Sequence, residues 1–267
     1  KRVLVALVAV PLLLAATFCP SPWVFKALVV AALLAALQEF FRMAPDQRVR
    51  PQAWVSHLCL LALLAPLFFP GLPFFSLREA VLLALALPCL AFLFSARPPQ
   101  EMLPAVPFAS FAALYFGLLG GYFLSLRDLP RGPWLLLFVY VATWAYDTGG
   151  YFAGRFLGRH KMTPQTSPQK TWEGALGGLV LALGALFLLW ACCPAYREIF
   201  RAGDLAALGV LLSLFGQLGD LVESMVKRSL AAKDSGSFFP GHGGVFDRID
   251  SLLFTAPVLF YYLTLRP

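Results

Sequence analysis

Charge is scarce in this chain. Only 13% of its 267 residues are Asp, Glu, Lys or Arg, 60% are hydrophobic, and mean hydropathy is +0.75. A soluble globule carries roughly a quarter of its residues as charges, so a water-soluble fold is excluded. Histidine is down to 3 residues, and the 5 cysteines, Cys19, Cys59, Cys89, Cys192 and Cys193, show neither metal-type spacing nor histidine partners. A thiol metal centre is therefore not expected, and the cysteines are read as small apolar packers. Carboxylates number 14 against 21 basic residues. With so few acids to place, each one inside an apolar run needs an explanation.

What the chain has instead is apolar runs from end to end. Nine of them, near 3–19, 23–41, 53–69, 77–95, 103–126, 133–156, 173–193, 205–227 and 249–265, approach the length that crosses a ~30 Å hydrocarbon core. Backbone in a bilayer must satisfy its own hydrogen bonds, so the runs are expected to be helices. The expectation is an all-α, polytopic integral membrane bundle of about nine transmembrane helices. Breaks such as "CPSP", "RMAPDQRVRPQ" and "SARPPQE" are Pro-rich punctuation between helices. The first run resembles a secretory leader in having basic residues before an apolar stretch, but Phe18 before Cys19 suits a cleavage site poorly, so it is kept as helix one. Residues 1–132 form an N-terminal group of about five helices with no assigned role. Residues 133–267 form a region whose loops 155–172 and 227–248 hold unusual chemistry.

With nine crossings, roughly twice as many Lys and Arg fall on the side holding the N-terminus and both unusual loops, which predicts that this side is cytoplasmic. Such charge suits a polyphosphate ligand, or equally anionic lipid headgroups. No nucleic-acid partner is expected.

Ions also enter the helices. In "SLFGQLGDLVESMVK" the residues sharing one helical face are Ser213, Gly216, Gln217, Asp220, Glu223, Ser224 and Lys227. A polar stripe on a membrane helix faces the bundle interior or a watery cavity and marks a functional site; the plainer alternative is a carboxylate paired with a nearby Lys to hold helices together. In "WAYDTGGYFAGRFLGRHK", Asp147 lies well inside the sixth run and needs a partner, either a cation or Lys170. Gly150 and Gly154 form a small-xxx-small seam for another helix. In "SPQKTWEG", either Ser167 or Thr171 can cap the seventh helix, with Lys170 beside the helix N-terminus.

The last loop is the densest. "PGHGG" cannot be regular helix, and Gly241, Gly243 and Gly244 permit a turn with exposed N–H groups. Asp247 and Asp250 follow three apart at the mouth of the ninth helix, beside Arg248 and downstream of Lys227, Arg228, Lys233 and Asp234. Capping alone explains one acid there but not two. Phosphates want cations, while Mg²⁺ takes one or two carboxylates, phosphate oxygens and water.

The run Ser224-Met-Val-Lys-Arg, Lys233-Asp234-Ser-Gly, Pro240-Gly-His-Gly-Gly and Asp247-Arg-Ile-Asp250 resembles the signature of the phosphatidate cytidylyltransferase (CDP-diacylglycerol synthase) family, and "GDLVES", "SPQKTWEG" and "YDTGGYFAGRFLGR" are similar to its other blocks. The likeness covers roughly 140–260; the first half resembles the family only in being apolar and multi-helical. It implies a reaction of CTP with phosphatidate that gives CDP-diacylglycerol and pyrophosphate, in a bacterial inner membrane, with the site facing the cytoplasm among membrane lipids. It further implies Mg²⁺ or Mn²⁺, a monovalent cation such as K⁺, and a homodimer.

The residues make sense of that reaction. Two anions must meet and pyrophosphate must leave, so positioning and charge neutralisation carry it, and neither a protein nucleophile nor a general base is required. Asp220, Asp247 and Asp250 are assigned to the divalent metal, with Glu223 and Asp147 in or next to its shell. Lys170, Lys227, Arg228, Lys233 and Arg248 are assigned to phosphates. Ser167, Thr171, Ser224, Asp234 and His242 join the substrate site, His242 as a turn or phosphate contact, while Gly241, Gly243 and Gly244 shape the loop. His57 and His160 are read as headgroup-facing bystanders. An enzyme acting on an ether lipid or a polyprenol would need similar loops. An ion-coupled transporter would use Asp147, Asp220 and Glu223 but shows no internal repeat. A structural scaffold leaves the stripe unexplained.

Overall fold

A computed structural model describes residues 2–46, 49–69, 75–236 and 243–266. Every expected apolar run is helical: α1 (Arg2–Phe18), α2 (Pro22–Met43), α3 (Ala53–Phe68), α4 (Leu77–Leu93), α5 (Met102–Asp128), α6 (Gly132–Leu157), α7 (Trp172–Cys192), α9 (Ala202–Ser229) and α10 (Phe246–Leu265). Two features were not read from the sequence. A short α8 (Pro194–Ile199) lies between α7 and α9, and the loop after α6 is an antiparallel hairpin of β1 (Lys161–Thr163) and β2 (Ser167–Thr171). Among the described residues, four stretches are long and apolar enough by length and composition to cross a membrane: Pro22–Met43, Pro99–Asp128, Trp172–Cys192 and Ala202–Ser229. Outward-facing side chains such as Leu103, Phe156, Val180 and Leu188 are largely exposed, an arrangement stable against hydrocarbon and not against water. The chain is an all-α membrane protein, with one small hairpin among the described residues.

The chain forms two compact units, one of residues 1–128 with 229–248, the other of residues 129–228 with 249–267. The first is built on aromatic packing. Phe40 lies 4.8 Å from Phe108, and Phe246 lies 5.0 Å from Phe116 and 6.0 Å from Tyr115, ring to ring. Ser56 Oγ donates to the Ala109 carbonyl at 3.0 Å, joining α3 to α5, and a 2.7 Å ion pair between buried Lys26 and Asp128 joins the start of α2 to the end of α5.

The second unit rests on close backbone approach. On α6 and α7 the small residues meet: a methyl at Gly149 would lie 2.6 Å from the Gly177 carbonyl oxygen, and one at Gly178 would lie 2.7 Å from that of Tyr146. Gly154 faces Thr171 and Gly174, so the expected seam is a helix contact. Away from the hairpin, Asp204 Oδ1 accepts from Tyr262 Oη at 2.8 Å and its Oδ2 pairs with Arg266 at 2.9 Å, tying the start of α9 to the end of α10.

Candidate active site

Within the second unit, α9 and α10 touch where α9 has no side chain. At Gly219 an added methyl would meet the Asp250 carbonyl oxygen at 2.7 Å and the Ser251 Cα at 3.1 Å. This contact sets Asp250 beside Asp220. Carboxylate atoms of Asp220, Glu223 and Asp250 all lie within 4.8 Å of one another, the group of potential metal ligands that stands out among the described residues. Glu223 is buried and the two aspartates are half-buried.

Two lysines flank the acids. Lys170 Nζ, from β2, is 2.5 Å from Asp220 Oδ2, and Lys227 Nζ, one turn along α9, is 2.7 Å from Glu223 Oε2. Ser224 Oγ reaches Asp220 Oδ1 at 3.4 Å. Gln217 Oε1, on the same face of α9, accepts from Tyr146 Oη at 2.9 Å, and the hydroxyls of Thr143 on α6 and Thr255 on α10 are 3.4 Å apart. Asp147 follows Tyr146 on α6 and is exposed.

Lys170 reaches Asp220 because of how its loop is built. β1 pairs with β2 in the register Lys161 to Thr171 and Thr163 to Ser167. Of the two candidate caps, it is Thr171 whose Oγ1 accepts the Gly174 N–H at 3.1 Å, while Ser167 sits in the strand pairing. Glu173 secures the other end of the hairpin by accepting from the backbone N–H groups of Arg159 and His160 and pairing with the His160 ring. His160 is thus tied to α7, and His57 bonds the Ala53 carbonyl at 2.7 Å. Lys170, which the sequence offered as a partner for Asp147, pairs with Asp220.

The donor set fits a hard divalent cation. All its ligand atoms are carboxylate oxygens of the kind Mg²⁺ or Mn²⁺ prefers.

In the first unit, the other acid of the signature has a different surrounding. Asp247 Oδ2 accepts from the Gly244 N–H at 2.7 Å, the Ser235 N–H at 3.0 Å and Ser235 Oγ at 2.7 Å. Gly243 adopts φ of 80°, which a side chain would strain, and a methyl there would also run into the Asp247 carboxylate. The turn does cradle an anion, but through Gly244 that anion is Asp247 itself. Arg228, Lys233, Asp234 and Arg248 are exposed around these residues in sequence. Gly241 and His242 lie outside the described residues.

Sequence reasoning missed Glu39 and Ser235. Glu39, in α2, is buried and accepts from the Val245 N–H at 3.0 Å, the Phe246 N–H at 3.0 Å and Ser235 Oγ at 3.2 Å. The available signal was a lone carboxylate in an apolar helix of the half for which no role was assigned.

Comparison with known proteins places the chain among relatives. The sequence profile described as "Cytidylyltransferase family" matches residues 1–266. A Bacillus subtilis protein named phosphatidate cytidylyltransferase is 44% identical over 163 residues, 60% of this chain and 59% of that protein. A Synechocystis protein of the same name is 32% identical over 278 aligned positions, 91% of this chain and 89% of that protein. One from Brucella suis is 41% identical over 155 residues, 58% of this chain and 54% of that protein.

Proposed function

Because the chain belongs to the cytidylyltransferase family, we propose that it transfers CMP from CTP to phosphatidate, releasing pyrophosphate and forming CDP-diacylglycerol at the cytoplasmic face of a bacterial inner membrane. The observation that carries this reading is the set of three carboxylates on α9 and α10 with a lysine at either side. A transporter's cation ligands would not need the two lysines, and a scaffold would not need the ions at all.

In the reaction, an ionised phosphate oxygen of the lipid forms a bond to the α-phosphorus of CTP, and the bond from that phosphorus to the oxygen bridging to the β-phosphate breaks. The electron pair leaves with pyrophosphate. The lipid phosphate is already an anion near neutral pH, so no residue has to remove a proton from it. The protein must hold two anions in line and balance their charge. Asp220, Glu223 and Asp250 would hold the divalent cation, and Asp247, one helical turn before Asp250, and Asp147 are further candidate ligands. The cation supplies charge neutralisation on the transferring and leaving phosphates. Lys170 and Lys227 exchange their carboxylate partners for phosphate oxygens as substrate arrives. Arg228, Lys233 and Arg248, all exposed, supply further phosphate contacts, and Thr171 keeps Lys170 in place through the α7 cap. Ser224 steadies Asp220. The family resemblance adds a monovalent cation and a homodimer to this reading.

Pyrophosphate release by purified protein, with CTP, Mg²⁺ and either diacyl phosphatidate or an ether-lipid phosphate, tests the reading. Turnover on the diacyl lipid is expected. Turnover only on the ether lipid would reassign the substrate, and no turnover on either would contradict the proposal.

A further inference from the structure

The N-terminal helices have so far had no part in the chemistry. Glu39 gives them one. Its side chain is 5% exposed, and a carboxylate is costly to bury among apolar helices unless its oxygens are matched by donors. Here the donors are the first N–H groups of α10, those of Val245 and Phe246, together with the hydroxyl of Ser235, itself 3% exposed. Helix N-termini present unsatisfied N–H groups and favour negative charge, and Glu39 supplies that charge from a segment some two hundred residues earlier in the chain.

The fit is tight on every side. A methyl at Gly236 would lie 2.8 Å from Glu39 Oε1, and one at Gly244 would collide with both Glu39 Oε2 and Ser235 Oγ. Two glycines of the signature loop are therefore small to admit this carboxylate. Two residues after Gly244, Phe246 is fully buried, with its ring 6.5 Å from that of Phe40, the neighbour of Glu39 on α2. Consecutive N–H groups at 244, 245 and 246 are thus taken by Asp247, Glu39 and Glu39, and Ser235 stands between the two acids with one hydroxyl proton to share.

We infer that Glu39 is a positioning residue: it fixes the turn that opens α10 and thereby the placement of Asp247 and Arg248. It does not touch substrate, and the inference rests on the functional reading given above only for its effect on turnover.

Two measurements on Glu39→Gln test it, with wild type alongside. Gln keeps the shape but offers one acceptor oxygen and turns an NH₂ group toward donors, so the turn should open. Hydrogen exchange of the amides in segment 243–250 should speed up by about tenfold or more. In the same preparation kcat should fall by about tenfold or more while KM for CTP stays within about threefold, the split expected when a reacting geometry is lost and not a binding contact. Unchanged protection, or lost protection with wild-type kcat, or lost kcat with intact protection, would each overturn the inference. If wild type itself shows no turnover, the functional reading fails and exchange alone decides this one: intact protection in Glu39→Gln overturns it. Should Glu39→Gln not fold, Glu39→Asp carries the same measurements. It keeps the charge at shorter reach, so both losses should appear in smaller degree, and wild-type values in both would overturn the inference.

Discussion

Two groups of carboxylates, one in each unit, are held in opposite ways. In the unit of residues 1–128 and 229–248, Glu39 and Asp247 receive backbone N–H groups and the Ser235 hydroxyl. In the unit of residues 129–228 and 249–267, Asp220, Glu223 and Asp250 face one another, and the partners seen for the first two are lysine side chains and one long contact from Ser224. Acids matched by fixed donors hold backbone in place. Acids gathered against their mutual repulsion, balanced by exchangeable cations, are poised for a metal and for phosphates. Both kinds stand in an apolar chain, so burial alone does not separate them; their partners do.

Neutralising an acid of each kind gives the sharpest contrast. Asp220→Asn should lower kcat by about a thousandfold, because it removes a candidate metal ligand and the partner of Lys170 together, while the thermal midpoint in detergent holds or rises as one repelling charge disappears. Asp247→Asn should lower kcat by about a hundredfold and also destabilise by about 1–3 kcal/mol, because Gly244 and Ser235 lose a charged acceptor. Parallel kinetics and melting curves check both. Equal destabilisation by the two variants would erase the distinction between the units.

Lysines come next. Lys170→Gln and Lys227→Gln should each reduce kcat by about a hundredfold if they pass from carboxylate to phosphate, as charge-assisted contacts in a partly dehydrated site. If they only pair helices, as the plainer reading of the sequence allows, melting temperature would fall and turnover per folded molecule would not. The smallest expected effect concerns backbone. Ala231, just beyond α9, has φ of 55°, a conformation glycine adopts without strain, so Ala231→Gly should stabilise by about 0.5–1 kcal/mol with activity unchanged. A thermal-shift assay reads this directly, and destabilisation would contradict it.

Each apolar run marked a helix because backbone in apolar surroundings has little choice but to bond to itself, although four stretches among the described residues are long and apolar enough to cross a membrane, and the i, i+3, i+4 stripe put Asp220, Glu223 and Lys227 on one face, where the structure finds them. Pairings across elements were harder. The sequence offered Lys170 to Asp147, and its pairing with Asp220 depends on the hairpin that carries Lys170, whose register has no local signature. The spacing of Asp247 and Asp250 suggested equivalent roles, yet what surrounds Asp247 depends on Ser235, twelve residues earlier in a loop whose path is set by tertiary contacts. Glu39 escaped notice because one acid barely changes the hydropathy of a 22-residue helix, and its donors lie at the other end of the chain.

The claim on which the account turns is that Asp220, Glu223 and Asp250 form a divalent-cation site. Titrating Mn²⁺ into purified wild-type protein, Asp220→Asn and Asp250→Asn, and following free Mn²⁺ by electron paramagnetic resonance, tests it without reference to turnover. The account predicts a bound ion in wild type and an affinity weaker by about tenfold or more in each variant. Equal binding by all three proteins would contradict it.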